Sequence, residues 1–554
     1  MKKDKHVNAI VIGAGASGGI MAKELAVSGL TVALFERGDW AKYDTHNHDE
    51  LISQRIGELA PAFGPDPKLN PRVQILPNGQ KRLTRPTDWD YSHIAACVGS
   101  GTVSYGAMAW RFMPEDFKMR SVYGSVEGST LEDWPITYED LEPFYEKAEW
   151  EIGVAGSDEG NPFAPPREQQ RPMPPFPYNS EGQLYYDTCK KMGLHPFPIP
   201  MLRNSVCYNG RGACVLNRHC LGSACPVDAK NGTHNTVIPI ALQSGNCELR
   251  TNCVVAEIVV DDSGKAKGIH YFDAKRKGHF QSADIVVVCA SAMESARLLL
   301  NSKSKLFSNG AGNNNDWVGR NIQGHAYTGA VGLFDKDVLD MVGPGACIAL
   351  SDYNHHNSGI IGGGALTNRF NAPPYAFSQM GVDGVPKWGA ERKKFQRDNF
   401  YRVSGLAGPI QEIPAFEARV TVVPEMKDAW GLPIPALMGC QHRLNKEHCR
   451  FLSEKAEAII KEAGAVKTWL NVGGGGEVVN PSQHQAGSCR MGNDKKTSVT
   501  NRYGQIHDID NLFVADGSVF VTNGGFNPVL TIMAVSYWIA DYIKREWNGT
   551  RFKS

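Results

Sequence analysis

The 554-residue chain has no surplus of either charge: Lys plus Arg number 58 and Asp plus Glu number 58. Nucleic-acid binders carry a basic excess or stripe. The basic clusters here are short ones, at residues 1–5 and 392–394, so no nucleic-acid partner is expected. No apolar run approaches the ~20 residues a membrane-crossing helix needs. The longest run near the end, residues 529–540, carries Thr531, Ser536 and Tyr537. A secretory signal is not visible either, because the apolar stretch after the charged start runs straight into Gly13, Gly15 and Gly18 with no small-residue cleavage site. The 13 cysteines contain no C-x2-C pair, and the chain is far too long for a small disulfide scaffold. Internal repeats are also missing.

Glycine is abundant: 58 residues, about one in ten, against roughly 7% on average. Without a collagen period, such an excess points to many places where backbone approaches something closely. Length alone suggests three or four domain-sized units.

The opening is the most informative segment. Residues 7–12 (VNAIVI) form a short apolar run of buried parallel-strand type. Gly13-Ala14-Gly15-Ala16-Ser17-Gly18 follows, then a helical pattern over 19–28, a second apolar run over 31–35 and Glu36. Strand, G-x-G-x-x-G, helix, strand and acid is the dinucleotide-binding order. Gly13 permits the tight turn, Gly15 lets backbone approach a pyrophosphate, and Gly18 lets helix and strand pack closely. The helix start offers N–H groups to phosphates, and Glu36, 18 residues after Gly18, suits ribose hydroxyls. The same residues match G-x-S-x-G, a hydrolase pattern with Ser17 as nucleophile. Ser17 follows the first strand, before a sheet is established, which disfavours that reading.

Further along, the Pro-rich stretch 161–178 reads as a surface excursion or linker. A helical pattern covers 184–192, and a β-rich unit covers 253–260, 267–272 and 285–289, leading into a helix at 293–301. From about 324 to 472 the character changes to strands, aromatics and loops. Residues 370–401 read as one long loop rich in Pro, Gly and aromatics. A strand (LFVA), a turn at Asp516-Gly517-Ser518 and a long helix from about Pro528 close the chain.

Several motifs occur in a fixed order. They are Val98-Gly99-Ser100-Gly101-Thr102 before Trp110-Arg111-Phe112, then Val318-Gly319-Arg320-Asn321, then Lys427-Asp428-Ala429-Trp430-Gly431. His484-Gln485-Ala486-Gly487-Ser488-Cys489-Arg490-Met491-Gly492 and Gly525-Phe526-Asn527-Pro528-Val529 come last. Together with the opening they resemble the glucose-methanol-choline (GMC) family of FAD-dependent oxidoreductases over essentially the whole chain. The resemblance is strongest to bacterial gluconate, glucose and fructose dehydrogenase flavoprotein subunits and to pyranose and glycoside oxidases.

That resemblance implies an α/β fold, a Rossmann-like FAD-binding domain interleaved with an α+β substrate-binding domain. The expected segments are 1–320 for the FAD-binding domain, with an excursion near 155–205, 321–478 for the substrate domain, and 479–554 for a return to the FAD domain. It implies that His484 is the active-site base and Asn527 its partner, taking a hydroxyl proton while hydride passes to flavin N5. Histidine suits proton transfer near neutral pH, and an amide can both donate and accept. The FAD site is expected at Gly13, Gly15, Ala16, Ser17, Gly18, Glu36 and Arg37, and at Gly99, Ser100, Gly101, Thr102, Tyr105, Gly106 and Ala107. Val255, Ala290, Asp516, Gly517, Asn527, Pro528 and Val529 complete it. No histidine lies in residues 102–106, so FAD is expected to be noncovalent. Tyr105, Trp110, Trp388 and Phe526 are candidates for a sugar-stacking wall, Arg490 and Met491 for motif packing, and His325 for a structural histidine.

Cys207, Cys214, Cys220 and Cys225 cluster before Pro226. In the dehydrogenase large subunits, cysteines in such a place hold an iron–sulfur cluster, and Cys214, Cys220 and Cys225 are the candidates here. The looser spacing favours reduced thiols or a local disulfide over a cluster or zinc. The substrate expected is a pyranose, glycoside or aldonate, oxidised at a secondary hydroxyl. The electron acceptor is oxygen, or a quinone or cytochrome reached with a small partner subunit. A lyase on the same fold is the further rival. The expected compartment is the cytoplasm, or the periplasm by co-export with a partner.

Overall fold

The computed structural model describes residues 2–51, 63–369, 374–382, 384–548 and 552. Its first sheet follows from the opening motif. Strands Cys247–Arg250, Val32–Phe35, Val7–Ile12 and Gly278–Val288 lie side by side and parallel. The last four residues of Val7–Ile12 are buried, as a strand covered on both faces requires. Gly278–Val288 is long enough to serve two partners on its other edge. Its second half takes Leu512–Val514 in parallel, and its first half takes Ala266–Phe272 antiparallel, which pairs in turn with Val254–Val260. The C-terminal segment thus rejoins the sheet that the N-terminus starts.

The helix Ala16–Val27 leaves the first strand through the glycine turn. At Gly13, with φ +100°, a Cβ would meet Cys289 O at 2.4 Å, and one on Gly18 would meet Gly13 O at 1.7 Å. Only hydrogen fits at these two crossings. No helix of the described residues is long and apolar enough to cross a membrane.

A second, six-stranded sheet runs Lys467–Asn471, Tyr327–Leu333, Val403–Pro409, Leu366–Asn368, Ile348–Leu350, Phe197–Pro198, all antiparallel. One face packs on the helix Leu444–Glu462, where Ala330, Leu366, Leu406, Leu452 and Ile459 are buried together. Because strand neighbours point the same way and the side-chain period is two, Tyr327, Ala407, Thr367 and Arg369 fall on the opposite face. A third sheet joins Arg419–Lys427, Pro433–Met438, Arg72–Ile75 and Lys81–Thr84.

One reading of the sequence is corrected and one refined. The Pro-rich stretch 161–178 lies largely at the surface, anchored by the buried Met173 and Phe176, and the chain beyond it enters the core. Met173, Phe197, Ile199 and Met201 are at most 2% exposed, and Phe197–Pro198 is a strand of the second sheet. Its prolines stiffen the path, while its apolar side chains decide where it goes. The span 370–401 is not one loop: it contains helices Pro374–Gln379 and Ala390–Asn399. Arg392 ties them by donating to the carbonyls of Phe377, Ser378 and Met380, and the Phe377 and Phe395 rings stack. The second helix is polar but for Ala390 and Phe395, so no apolar stripe announced it. Residues 370–373 and 383 lie outside the described residues.

Candidate active site

A single cavity of about 630 Å3 lies between the first sheet and the second. Its far end is lined by Gly13, Gly15, Ala16, Ser17, Glu36 and Arg37, with Val255 across from them. Ser100, Gly101, Thr102, Tyr105, Gly106 and Ala107 line the middle, as do Ala290, Asp516 and Gly517. His484, Asn527, Pro528 and Val529 also face it. Gly18 and Gly99 stand behind the wall. Gly18 lets the helix cross the strand, and Gly99 N–H donates to Ala14 O at 2.8 Å.

The far end suits a dinucleotide. The Ala16–Val27 helix has Gly15 at its start and no side-chain cap, so its first-turn N–H groups are left to whatever fills the cavity. Glu36 is buried. Its carboxylate accepts from Ala14 N at 3.0 Å and Gly38 N at 2.9 Å, which aims it along the cavity wall, and burial raises its pKa. Asp516 behaves differently. Its carboxylate accepts from Ser291 N, Ser295 Oγ, Ser518 N and Ser518 Oγ. These four donors use its acceptor positions, so Asp516 pins the Ala290–Ser291 turn to the Gly517 turn, and burial pushes its pKa up.

At the other end, five side chains from four distant segments meet. His325 Nε2 lies 2.8 Å from Gly524 O and 3.0 Å from Asn523 O. Carbonyls only accept, so Nε2 carries the proton. Burial depresses the pKa of His325 to about 4, so the ring is neutral and its Nδ1 is a bare acceptor. His484 Nδ1, 2.9 Å away, must then be the donor. The Nε2 of His484 then carries the lone pair and accepts from Asn527 Nδ2 at 3.4 Å. Asn527 is oriented by its own neighbours: Trp110 Nε1–H donates to its Oδ1 at 3.0 Å, and its Nδ2 donates to Tyr327 OH at 2.7 Å. A lone pair and an amide N–H therefore sit side by side, as needed to accept a proton from a hydroxyl and donate to its oxygen.

Sequence reasoning had assigned His325 a structural place. It lines the cavity and touches His484 directly. Tyr327 was missed, although strand periodicity places it on the open face. His93 also lines the cavity and was not anticipated. The stacking wall is only partly formed. Trp110 and Phe526 lie 5.3 Å apart but are 4% and 2% exposed, so they buttress Asn527. Tyr105 reaches the cavity, its hydroxyl donating to Asn231 O. Trp388 is 85% exposed and is no part of the wall. Arg490 packs over Trp317 at 4.2 Å and donates to Thr130 O, a packing role.

All 13 cysteines are free thiols, so no local disulfide forms. Cys220 is buried, Cys214 and Cys225 are half-buried, and Cys207 is exposed. Among the described residues these sulfurs do not converge as three ligands for one metal ion; the group that does is Glu142, Glu146 and Glu168. Lys230 Nζ lies beside the thiols, donating to Cys220 O at 2.9 Å and Ser223 O at 2.6 Å. Its burial drives its pKa down to about 7.

A nucleotide-type cradle and a histidine–amide pair in one cavity define the class: a flavin-dependent oxidoreductase of hydroxyl groups. The chain belongs to the GMC oxidoreductase family, whose N-terminal model matches residues 135–327 and whose C-terminal model matches residues 414–536. It is an FAD-dependent enzyme acting on CH–OH groups. The gluconate 2-dehydrogenase flavoprotein of Pantoea cypripedii is 28% identical, with 98% of this chain and 94% of that one covered. The fructose dehydrogenase large subunit of Gluconobacter japonicus is 25% identical (96% and 97% covered). Mycolicibacterium austroafricanum 2-methyl-1,2-propanediol dehydrogenase is 29% identical (98% and 96% covered). Among solved structures, pyridoxine 4-oxidase from Mesorbium loti superposes with a TM-score of 0.66 at 15% identity, covering 97% of this chain and 99% of that one. That likeness concerns the fold.

Proposed function

We propose that the enzyme oxidises a secondary hydroxyl of a sugar, glycoside or aldonate to a ketone. The observation that carries this is the pairing of His484 Nε2 with the Nδ2–H of Asn527, in the same cavity as the Gly13–Glu36 cradle. The cradle, Ser100 to Ala107, the Val255 backbone and the turn at Gly517 would hold FAD without a covalent bond. FAD, when bound, supplies the hydride acceptor. His484 takes the hydroxyl proton at Nε2, and Asn527 donates to the same oxygen and holds it in place. His484 keeps its Nδ1–H on His325 throughout, and the neutral His325 ring accepts that bond from the imidazolium as charge develops. Substrate entry displaces the long 3.4 Å contact between His484 and Asn527.

The test is anaerobic addition of a panel of sugars, glycosides and aldonates to the flavin-loaded protein. Bleaching of the visible flavin absorbance with formation of a keto product is expected. A panel that yields cleavage products with the flavin still oxidised would instead establish a lyase. Running the turnover with oxygen and with a quinone analogue identifies the acceptor. A partner-dependent dehydrogenase is supported by the relatives described as a flavoprotein and a large subunit. Iron in the purified protein that Cys220→Ser removes is the result expected of that arrangement.

A further inference from the structure

The second sheet offers the cavity a floor of Tyr327, Ala407 and Thr367, and at its edge one cation, Arg369. Arg369 continues the strand Leu366–Asn368, its N–H donating to Gly405 O at 2.9 Å. It therefore shares the face of Thr367, two strands across from Tyr327.

The other cations lining the cavity already have carboxylates: Arg297 pairs with Glu294 and Asp428, and Arg37 lies 3.6 Å from Glu294. The carboxylates Glu36 and Asp516 are held by backbone N–H groups and serines and lie at the cradle and its turn, away from Arg369. Arg369 has no carboxylate within ion-pairing distance among the described residues. The contact its guanidinium does make is Nη1 to Met380 Sδ at 3.3 Å, a weak acceptor. The nearby acid, Glu181, is fully buried and occupied by Arg218 at 2.6 Å, Asn368 Nδ2 at 3.0 Å and Ser404 Oγ. Arg218 and Glu181 cancel, which leaves Arg369 as the unmatched charge beside the second sheet. An arginine stays ionised even when burial works against it, as it does here. A cation with five donors, facing a cavity and left without an anion, is costly unless a ligand supplies the missing charge.

We infer that Arg369 is a subsite for a substrate carboxylate, so that the physiological substrate is an acid sugar, an aldonate or uronate, and not a neutral one. A single guanidinium balances a planar monoanion through two parallel N–H···O bonds; a phosphate dianion would leave one charge over. This inference rests on the hydroxyl-oxidising function proposed above and narrows its substrate class.

The experiment compares kcat/KM of the flavin-loaded enzyme for matched pairs, gluconate against glucitol and glucuronate against glucose, with glucose 6-phosphate as the phosphate arm. The wild type is expected to prefer the carboxylate of each pair by about 100-fold, the scale of a charged hydrogen-bonded contact. In Arg369→Gln that acid-to-neutral ratio collapses to near unity, and Arg369→Lys restores part of it. Flavin content, read from the visible spectrum, reports folding of each variant. Equal use of acid and neutral partners by the wild type, preference for the phosphate, or an unchanged ratio in Arg369→Gln would overturn the inference while leaving hydroxyl oxidation standing. If no carbohydrate of either kind bleaches the flavin, the functional proposal fails and the subsite fails with it.

Discussion

Replacing His325 by leucine tests the tautomer chain that ends at the base. The Asn523 and Gly524 carbonyls fix a proton on His325 Nε2, and His325 Nδ1 then fixes one on His484 Nδ1. Leucine removes the acceptor at 2.9 Å, so the two tautomers of His484 are no longer distinguished and the imidazolium formed in turnover loses a buried partner. A hydrogen bond to a charged group is worth roughly 1.5–3 kcal/mol, which at ~1.36 kcal/mol per decade is about a 10- to 150-fold loss in kcat. The acid limb of the pH–rate profile should also move to lower pH, because His484 becomes harder to protonate. A residue that merely filled space would not shift that limb. Glutamine can present an oxygen towards His484 and an NH2 towards the carbonyls, so His325→Gln should recover much of the rate. Stopped-flow flavin reduction under anaerobic conditions measures both effects. If His325→Leu reduces its flavin within about threefold of the wild-type rate with an unmoved acid limb, the tautomer chain is wrong.

Removing the base itself by His484→Ala should slow flavin reduction by about 10²–10⁴-fold with flavin content intact; a near-normal rate would remove His484 from the proton transfer. Gly18→Ala should fail to retain FAD and melt earlier, because the new methyl would stand 1.7 Å from Gly13 O; overpacking of this kind costs about 1–3 kcal/mol, readable by calorimetry. Acid should destabilise the fold. His234, His325 and His448 all have pKa values pushed down to about 4 by burial. A depressed folded-state value means the unfolded chain binds more protons between about pH 6.5 and 4, so stability is full above that window and falls as pH drops through it, by up to about 3 kcal/mol per histidine. A Tm that stays flat from pH 7 to 4 would contradict this.

What could be read from the sequence was mostly local. The first strand, glycine turn, helix and Glu36 lie within 36 residues, and their spacing alone defines the nucleotide end. His484 and Asn527 were legible only through their surrounding motifs, since nothing in periodicity singles out one histidine among 16. The Trp110–Asn527 bond spans 417 positions and the His325–His484 bond 159, so both depend on sheet pairings that no short window contains. The Pro-rich excursion was legible as surface, but not where its arginines point. Proline and charge signal surface, but Arg167 and Arg171 there turn inward and are neutralised by Glu149 and Asp158. Part of the glycine excess is explained only in space: in the run 362–364 a Cβ on Gly363 would lie 1.8 Å from Tyr353 O, and one on Gly364 would lie 2.2 Å from Pro409 O.

That triplet also touches the loop that carries Asn527. A Cβ on Gly525 would reach Gly364 Cα at 2.9 Å, and Ala365 N–H donates to Gly525 O at 3.1 Å. The substrate floor and the proton-transfer pair thus meet main chain to main chain, with no side chain between them. The height of the floor beneath the reacting carbon is set by the thickness of a polypeptide backbone. Side chains at Thr367, Arg369 and Ala407 can be exchanged without altering that height. A redesign of the floor that leaves Gly364 and Gly525 alone keeps Asn527 in register, and one that adds a methyl at either forces the floor and the Asn527 loop apart.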